Sequence, residues 1–331
     1  MEVSQKNQAQ TNQLIIDLHC DLLCYLAEDK KRKPTDLVAR CSLPQLEAGN
    51  VALQVFAIFS ECKKSSTAYA RKQVEAYTSM LKNYPEKIQN YTGGQLSSTT
   101  QSLIAIESAA CLCTETDPLS AIEQNLKHIT DNCGKPLYLS VTWNDRNRFG
   151  GGNNDSAGLS SDGEYLLHIL AEQKIAIDLS HSSDPLCEGI LSWIEKNAPT
   201  HPVIASHCVF KAVNNIVRNL HDDFAKEIIN RDGLIGLNLI NKFIGGGSID
   251  SLKKHIEHGL KIRAQNSLCF GADFFYDLDF SQFENKSFYF EEFETAQCYP
   301  QLIETILSKS LTPHQVAAVC NQNVLSFLSN Y

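Results

Sequence analysis

Residues 14–21 read Leu14-Ile15-Ile16-Asp17-Leu18-His19-Cys20-Asp21, an apolar run that ends in ionisable side chains. Seven more short apolar runs recur along the chain, most of them rich in β-branched residues. They are Val51–Phe59, Ser102–Ile106, Leu137–Thr142, Ile175–Leu179, Pro202–Ser206, Leu234–Leu239 and Ser267–Gly271. Between them lie stretches with helical periodicity, such as Tyr69–Asn83, Ile122–Asn132, Gly163–Gln173, Asp222–Arg231 and Leu252–Ala264. Strands that alternate with helices predict parallel βαβ units. Eight of them predict an α/β protein whose sheet closes into a (β/α)8 TIM-type barrel. Extra C-terminal helices, Thr295 to Leu328, are expected to pack outside it. Thr312-Pro313 reads as a helix start, with Thr at the N-cap and Pro at the first position.

The segment Phe149–Asp162, rich in Gly, Asn and Ser, reads as a loop after the fourth strand, and Gly245–Ser248 as one after the seventh. Both belong at the barrel mouth. The domain reading is a disordered or extended tail over residues 1–13 and a single barrel domain over 14–331.

The chain has 331 residues, 43% of them hydrophobic, and a net charge of −9. An acidic chain gains nothing electrostatically by approaching nucleic acid or an anionic membrane, so a small-molecule substrate is expected. The first residues lack the apolar core of a signal peptide, and no apolar run is long enough to span a bilayer. Twelve cysteines without a CxxC pair read as free, mostly buried thiols rather than a zinc ribbon or redox motif. With no secretion signal, a reducing cytoplasmic location follows.

Ionisable residues gather at strand ends: Asp17, His19 and Asp21 at the first, Glu107 at the third, Asp178 and His181 at the fifth, His207 at the sixth and Asp273 at the eighth. In a closed barrel these ends share one rim, where active sites of this fold lie. His19 and Asp21 are two apart and point the same way on an extended strand, whereas Cys20 points the other way. Carboxylates and imidazoles crowded into one mouth are costly to desolvate unless something binds them. Divalent cations do so; nitrogen and oxygen donors suit zinc best, with manganese as the other candidate. His255 and His258 lie near Lys253 and Lys254 and read as a solvated helix face, and His201 as the structural end of the sixth strand.

At these residues the chain resembles the membrane (renal) dipeptidase family of the amidohydrolase superfamily, in its bacterial form. The matching stretches are Ile16–Leu22, Ala105–Glu107, Ile177–His181, Pro202–His207, Val217–Leu220 with Asp222-Asp223, Gly233–Asn238 and Gly271–Phe274. The likeness runs from about residue 14 to 328. It implies that His19 and Asp21 hold one zinc and His181 and His207 a second, with Glu107 bridging them. Asp273 is then the acid/base near a bridging hydroxide, and Arg218 grips the substrate's free carboxylate. Trp143 stands where animal members carry a substrate-contacting His, and Asp273-Phe274-Phe275-Tyr276 departs from the family's Asp-Phe-Asp-Gly.

The function so implied is dipeptide hydrolysis with two divalent ions, and the family suggests a homodimer. For Arg218 the alternative is a surface arginine at a helix start. For the whole chain the alternatives are another binuclear amidohydrolase, acting on a cyclic amide or phosphodiester, and a non-catalytic scaffold.

Overall fold

The computed structural model describes residues 13–277 and 287–330, so most of the expected N-terminal tail lies outside the described residues. All eight runs form strands: β1 Ile15–Cys20, β2 Val51–Phe59, β4 Thr100–Glu107, β5 Tyr138–Ser140, β6 Ala176–Asp178, β7 Val203–Ile204, β8 Ile235–Leu237 and β9 Leu268–Phe270. A short strand not foreseen, β3 (Ile88–Asn90), pairs with β4. Every pairing is parallel, in the order β7-β6-β5-β4-β2-β1-β9-β8. A bridge between Ala205 and Ile235 joins the two ends of that path. Ala205 N–H donates to Leu234 O and Gly236 N–H to Ala205 O, each at 2.8 Å, and the sheet becomes a barrel.

Helices cover the outside, among them Ser66–Asn83, Ala121–Cys133, Ser161–Gln173, Asp184–Asn197, Asp222–Asn230 and Asp250–Lys261. Because both faces of the sheet are covered, its strands read as continuous apolar runs rather than alternating ones. Inside, Ile16, Leu18, Leu53, Val55, Ala105, Tyr138, Ala176, Ile204 and Cys269 form one packed cluster.

The extra C-terminal helices are present, and the segment Ile303–Ser310 packs on the outer helix Asp250–Lys261. Thr312 does cap a helix, with Pro313 at its first position. The last helix, Asn323–Asn330, however, sends Val324 and Phe327 into the interior cluster. Asn321 Nδ2 donates to Leu14 O and Asn323 Nδ2 to Leu268 O, so this segment seals the barrel end opposite the mouth.

The solvated reading of His255 is overturned. Its side chain is fully buried, taking the Phe210 N–H on Nδ1 and donating from Nε2 to Ile244 O. His258 is half-buried and paired with Asp222 at 2.8 Å. His255→Leu is expected to strand two buried backbone groups and destabilise the protein by about 2–4 kcal/mol. Urea unfolding of the two proteins checks this; equal midpoints would show that water replaces both bonds.

All twelve cysteines are free. Among the described residues no helix is long and apolar enough to cross a membrane.

Candidate metal centre

The strand ends bring the expected residues to one point. His19 is the penultimate residue of β1 and Asp21 follows the strand; Glu107 closes β4; His181, His207 and Asp273 follow β6, β7 and β9. Glu107 is the hub. Its Oε2 lies 3.3 Å from His19 Nε2, and its Oε1 lies 2.8 Å from His181 Nε2 and 3.7 Å from His207 Nε2. His19 Nε2 is also 3.8 Å from Asp21 Oδ2 and 3.7 Å from Asp273 Oδ1. Three overlapping groups, His19–Asp21–Glu107, Glu107–His181–His207 and His19–His207–Asp273, each place their donor atoms within 4.8 Å of one another.

The backbone is strained where it presents these groups. His181 has φ 66°, Asp273 φ 65° and Ser108, next to Glu107, φ 78°. Non-glycine residues occupy this region at a cost of about 1–3 kcal/mol, and such strain concentrates at functional sites. At the junction of β7, β8 and β9, a Cβ on either Gly236 or Gly271 would run into the Ser206 carbonyl. Glycine there lets the strands close on the residue that precedes His207.

Each imidazole is held by its Nδ1. Tyr138 spends its hydroxyl proton on Leu18 O at 2.8 Å and accepts from His19 Nδ1–H at 2.7 Å. Ser206 spends its proton on Asp178 Oδ2 at 2.6 Å and accepts from His207 Nδ1–H at 2.7 Å. Asn144 Oδ1 accepts from His181 Nδ1–H at 2.9 Å. These partners assign one tautomer to all three rings and leave every Nε2 lone pair aimed into the cluster. His181 and His207 then face each other Nε2 to Nε2 at 2.9 Å, and His19 Nε2 is buried without a hydrogen bond. Two lone pairs at that distance require a cation or a proton between them.

Charge tells the same story. Burial opposes a charge on His19, but the Glu107, Asp21 and Asp273 carboxylates outweigh it and raise the ring to about 10. Burial alone would raise Glu107; His19 and His181 hold it below the usual carboxylate range. Burial, reinforced by Glu107, drives Asp21 well up, and burial lifts Asp273 to about 6. Burial and the Arg218 guanidinium lower His181 to about 4; burial and His19 lower His207. A divalent cation bound there would answer the same carboxylates in place of a proton on His19. The nitrogen and oxygen donor set, with lone pairs converging, fits divalent cations of the zinc type.

Arg218 is not a surface arginine. Only 7% exposed, it donates from Nη2 to His181 Nε2 at 3.0 Å and to His207 O at 3.2 Å, and from Nη1 to Cys208 Sγ. Its guanidinium lies over the Phe243 ring, and its Nε is buried without a partner. Trp143 is half-buried on the rim, its ring 6.0 Å from that of His181 and 5.1 Å from that of Phe59. It helps wall a polar cleft of about 510 Å³ with Ser108, Glu61, Lys63, Glu115 and Arg146. A larger cleft of about 790 Å³, lined by Tyr91, Leu103, Leu137 and Leu325, lies at the sealed end, and neither cleft is lined by a residue of the cluster itself.

Sequence reasoning put Asp178 on the rim but gave none of the supports a role. Tyr138, Asn144, Ser206 and Asp178 fix the imidazoles, and Asn238 Nδ2 fixes Asp273 Oδ2 at 2.9 Å. The one available signal was that all five lie at or beside a strand that feeds the rim. Asp17, also on that rim, is structural: it accepts from His19 N–H, Ala272 N–H and Tyr299 O–H.

The sequence model of a family described as membrane dipeptidase, peptidase family M19, matches residues 3–330. Dipeptidase 3 of Mus musculus is 23% identical over 329 residues, covering 94% of this chain and 63% of its own length. The chain thus spans less than two thirds of that relative. A metallo peptidase from Rhodobacter sphaeroides, solved with a phosphinate mimic of the dipeptide L-Ala-D-Ala, superposes with a TM-score of 0.81 at 17% identity. The alignment covers 96% of this chain and 99% of that one. A dipeptidase AC of family M19 also gives 0.81 at 17%, covering 96% and 98%. At such identities the structural likeness establishes the shared barrel.

Proposed function

The chain belongs to the membrane dipeptidase family, peptidase family M19, and on that premise we propose that it is a metal-dependent dipeptidase acting on dipeptides with a free C-terminal carboxylate. The observation that carries this reading is the pair of Glu107 oxygens, one turned to His19 and the other to His181 and His207. Such a carboxylate serves two cations at once. His19 and Asp21 would hold one, His181 and His207 the other, and Glu107 both; zinc is the ion this donor set suits best. Bound there, divalent ions supply Lewis-acid polarisation of the scissile carbonyl and make water nucleophilic near neutral pH.

The remaining work falls to the chain's own residues. Asp273 takes the proton of the attacking water on the carboxylate oxygen that faces the cluster, while Asn238 holds the other oxygen. It then returns that proton to the leaving amine. Arg218 pairs with the substrate carboxylate, whose planar geometry its fork matches. Because that cation is buried beside the imidazoles, it admits only a chain end close to the scissile bond, so the residue after that bond must be the last one. Trp143, on the rim beside the His181 ring, would contact the substrate. The dipeptide mimic bound by the Rhodobacter sphaeroides relative supports the same substrate class. Twelve unpaired thiols support a reducing, cytoplasmic setting.

A panel of dipeptides with L or D second residues, assayed with zinc or manganese and again with chelator, tests the reading. Hydrolysis that chelator abolishes is expected. Cleavage of phosphodiesters in place of dipeptides, or no turnover under any condition, would overturn it.

Arg218→Ala is expected to raise KM for free dipeptides by roughly 10–100-fold, the size of a lost hydrogen-bonded charge pair, with a smaller change in kcat. C-terminally amidated dipeptides should be poor substrates of the native enzyme and lose little more in the variant. Equal cleavage of free and amidated substrates by the native enzyme would remove Arg218 from carboxylate recognition.

A further inference from the structure

Of the three Nδ1 partners, Asn144 differs in kind. Tyr138 lies in β5 and Ser206 follows β7, both buried in the barrel wall. Asn144 sits on the loop after β5 and is only half-buried, and the ring it holds belongs to His181, whose own backbone is strained. Two loops therefore meet in the Asn144–His181 bond, and both ends of it are braced. Asn154 N–H donates to Asn144 O at 2.8 Å. Gly152 forms an antiparallel bridge to Ser182, next to His181. A Cβ on Gly152 would collide with Trp143 O and Asn144 O, so the loop closes this tightly only with glycine there. Ser183 N–H donates to Gly151 O, and Thr142 Oγ1 to His181 O.

From this we infer that Asn144 is a positioning residue for the metal centre: its carbonyl fixes the tautomer and rotation of His181 and so sets the affinity of the ion that His181 and His207 hold. The inference rests on the dipeptidase reading and deepens it. Without the Oδ1 acceptor, the His181 ring can turn or carry its proton on Nε2, and Arg218 Nη2, already 3.0 Å away, competes for that nitrogen. Outer partners of ligating histidines are worth about 10–100-fold in metal affinity.

The test is zinc titration of the full-length protein against a competing chelator, with the melting temperature of the metal-free protein measured alongside. Asn144→Leu keeps the shape and removes the acceptor; Asn144→Ala removes both; Asn144→Asp keeps the acceptor. The expected result is two zinc ions on the native protein, one of them bound about 10–100-fold more weakly in the Leu and Ala variants. Affinity is restored in the Asp variant, and the metal-free melting temperature is unchanged in all three. If Asn144→Leu does not fold, the Ala and Asp pair carries the comparison. Native affinity in a folded Leu or Ala variant overturns the inference and leaves the dipeptidase reading standing, as does an Asp variant as weak as the Ala one. A native protein that binds no zinc overturns both.

Discussion

Glu107→Gln is expected to yield a folded protein with zinc content at background and no measurable dipeptide turnover. The substitution keeps the volume of a residue that is 3% exposed and changes only its charge and one donor. That change falls where every contact depends on charge. Both carboxylate oxygens face imidazole Nε2 atoms, at 2.8 Å and 3.3 Å. A glutamine offers one acceptor and must point an NH2 at the other ring or rings. One cation position then loses a ligand, and both lose a negative charge. Unit charges about 4 Å apart interact by about 4 kcal/mol at an effective dielectric of about 20. For a divalent ion the loss is larger, and 4 kcal/mol alone is roughly three orders of magnitude in affinity. Metal analysis of the purified variant beside the native protein decides the matter. Two ions and undiminished turnover in Glu107→Gln would end the shared-ligand role.

The barrel was legible because its strands are buried on both faces. Runs such as Ile175–Leu179 stand out against amphipathic helices and turn residues. Ile88–Asn90 escaped notice because one apolar residue followed by Gln89 and Asn90 has no strand signature; its pairing with β4 makes it a strand. His255 was misread from its lysine neighbours in sequence, yet helical spacing places it beside Leu252, Ile256 and Gly259, the buried face of its helix. The weight given to charge i±1 exceeded that given to the i, i+3, i+4 pattern, which is the physical one.

The site divides along a similar line. Ligand-type residues at strand ends are readable because barrel closure alone determines that they converge. Arg218 could be placed near them only through family likeness, since its burial depends on a turn between Phe210 and Leu220 that no periodicity encodes. The Nδ1 partners were unreadable for another reason. Tyr138, Asn144 and Ser206 are ordinary residues whose role lies in a rotamer and a distance of about 3 Å or less. One sequence does not carry that information. The same supports explain how the site tolerates its strain: the turns at His181 and Asp273 are tied down by Asn144, Asn238 and the Tyr289 hydroxyl on Asp273 O.

Asp273→Asn is expected to separate chemistry from binding: zinc retained, KM little changed, kcat lower by about 10²–10⁴-fold, the usual share of acid–base assistance. Asp273 shares a group of donors with His19 and His207, so geometry alone allows it to be either a ligand or a proton carrier. Two features favour the carrier. Asn238 occupies one of its oxygens, which leaves a single oxygen turned to the cluster. Burial also lifts its carboxyl to about 6 in the protein alone, which suits a group that must both take and release a proton near neutrality. An asparagine keeps an oxygen acceptor for a cation but cannot carry the proton, so the variant distinguishes the two roles. A zinc ion lost from Asp273→Asn would make Asp273 a ligand. Native kcat with both ions in place would transfer the proton to another group.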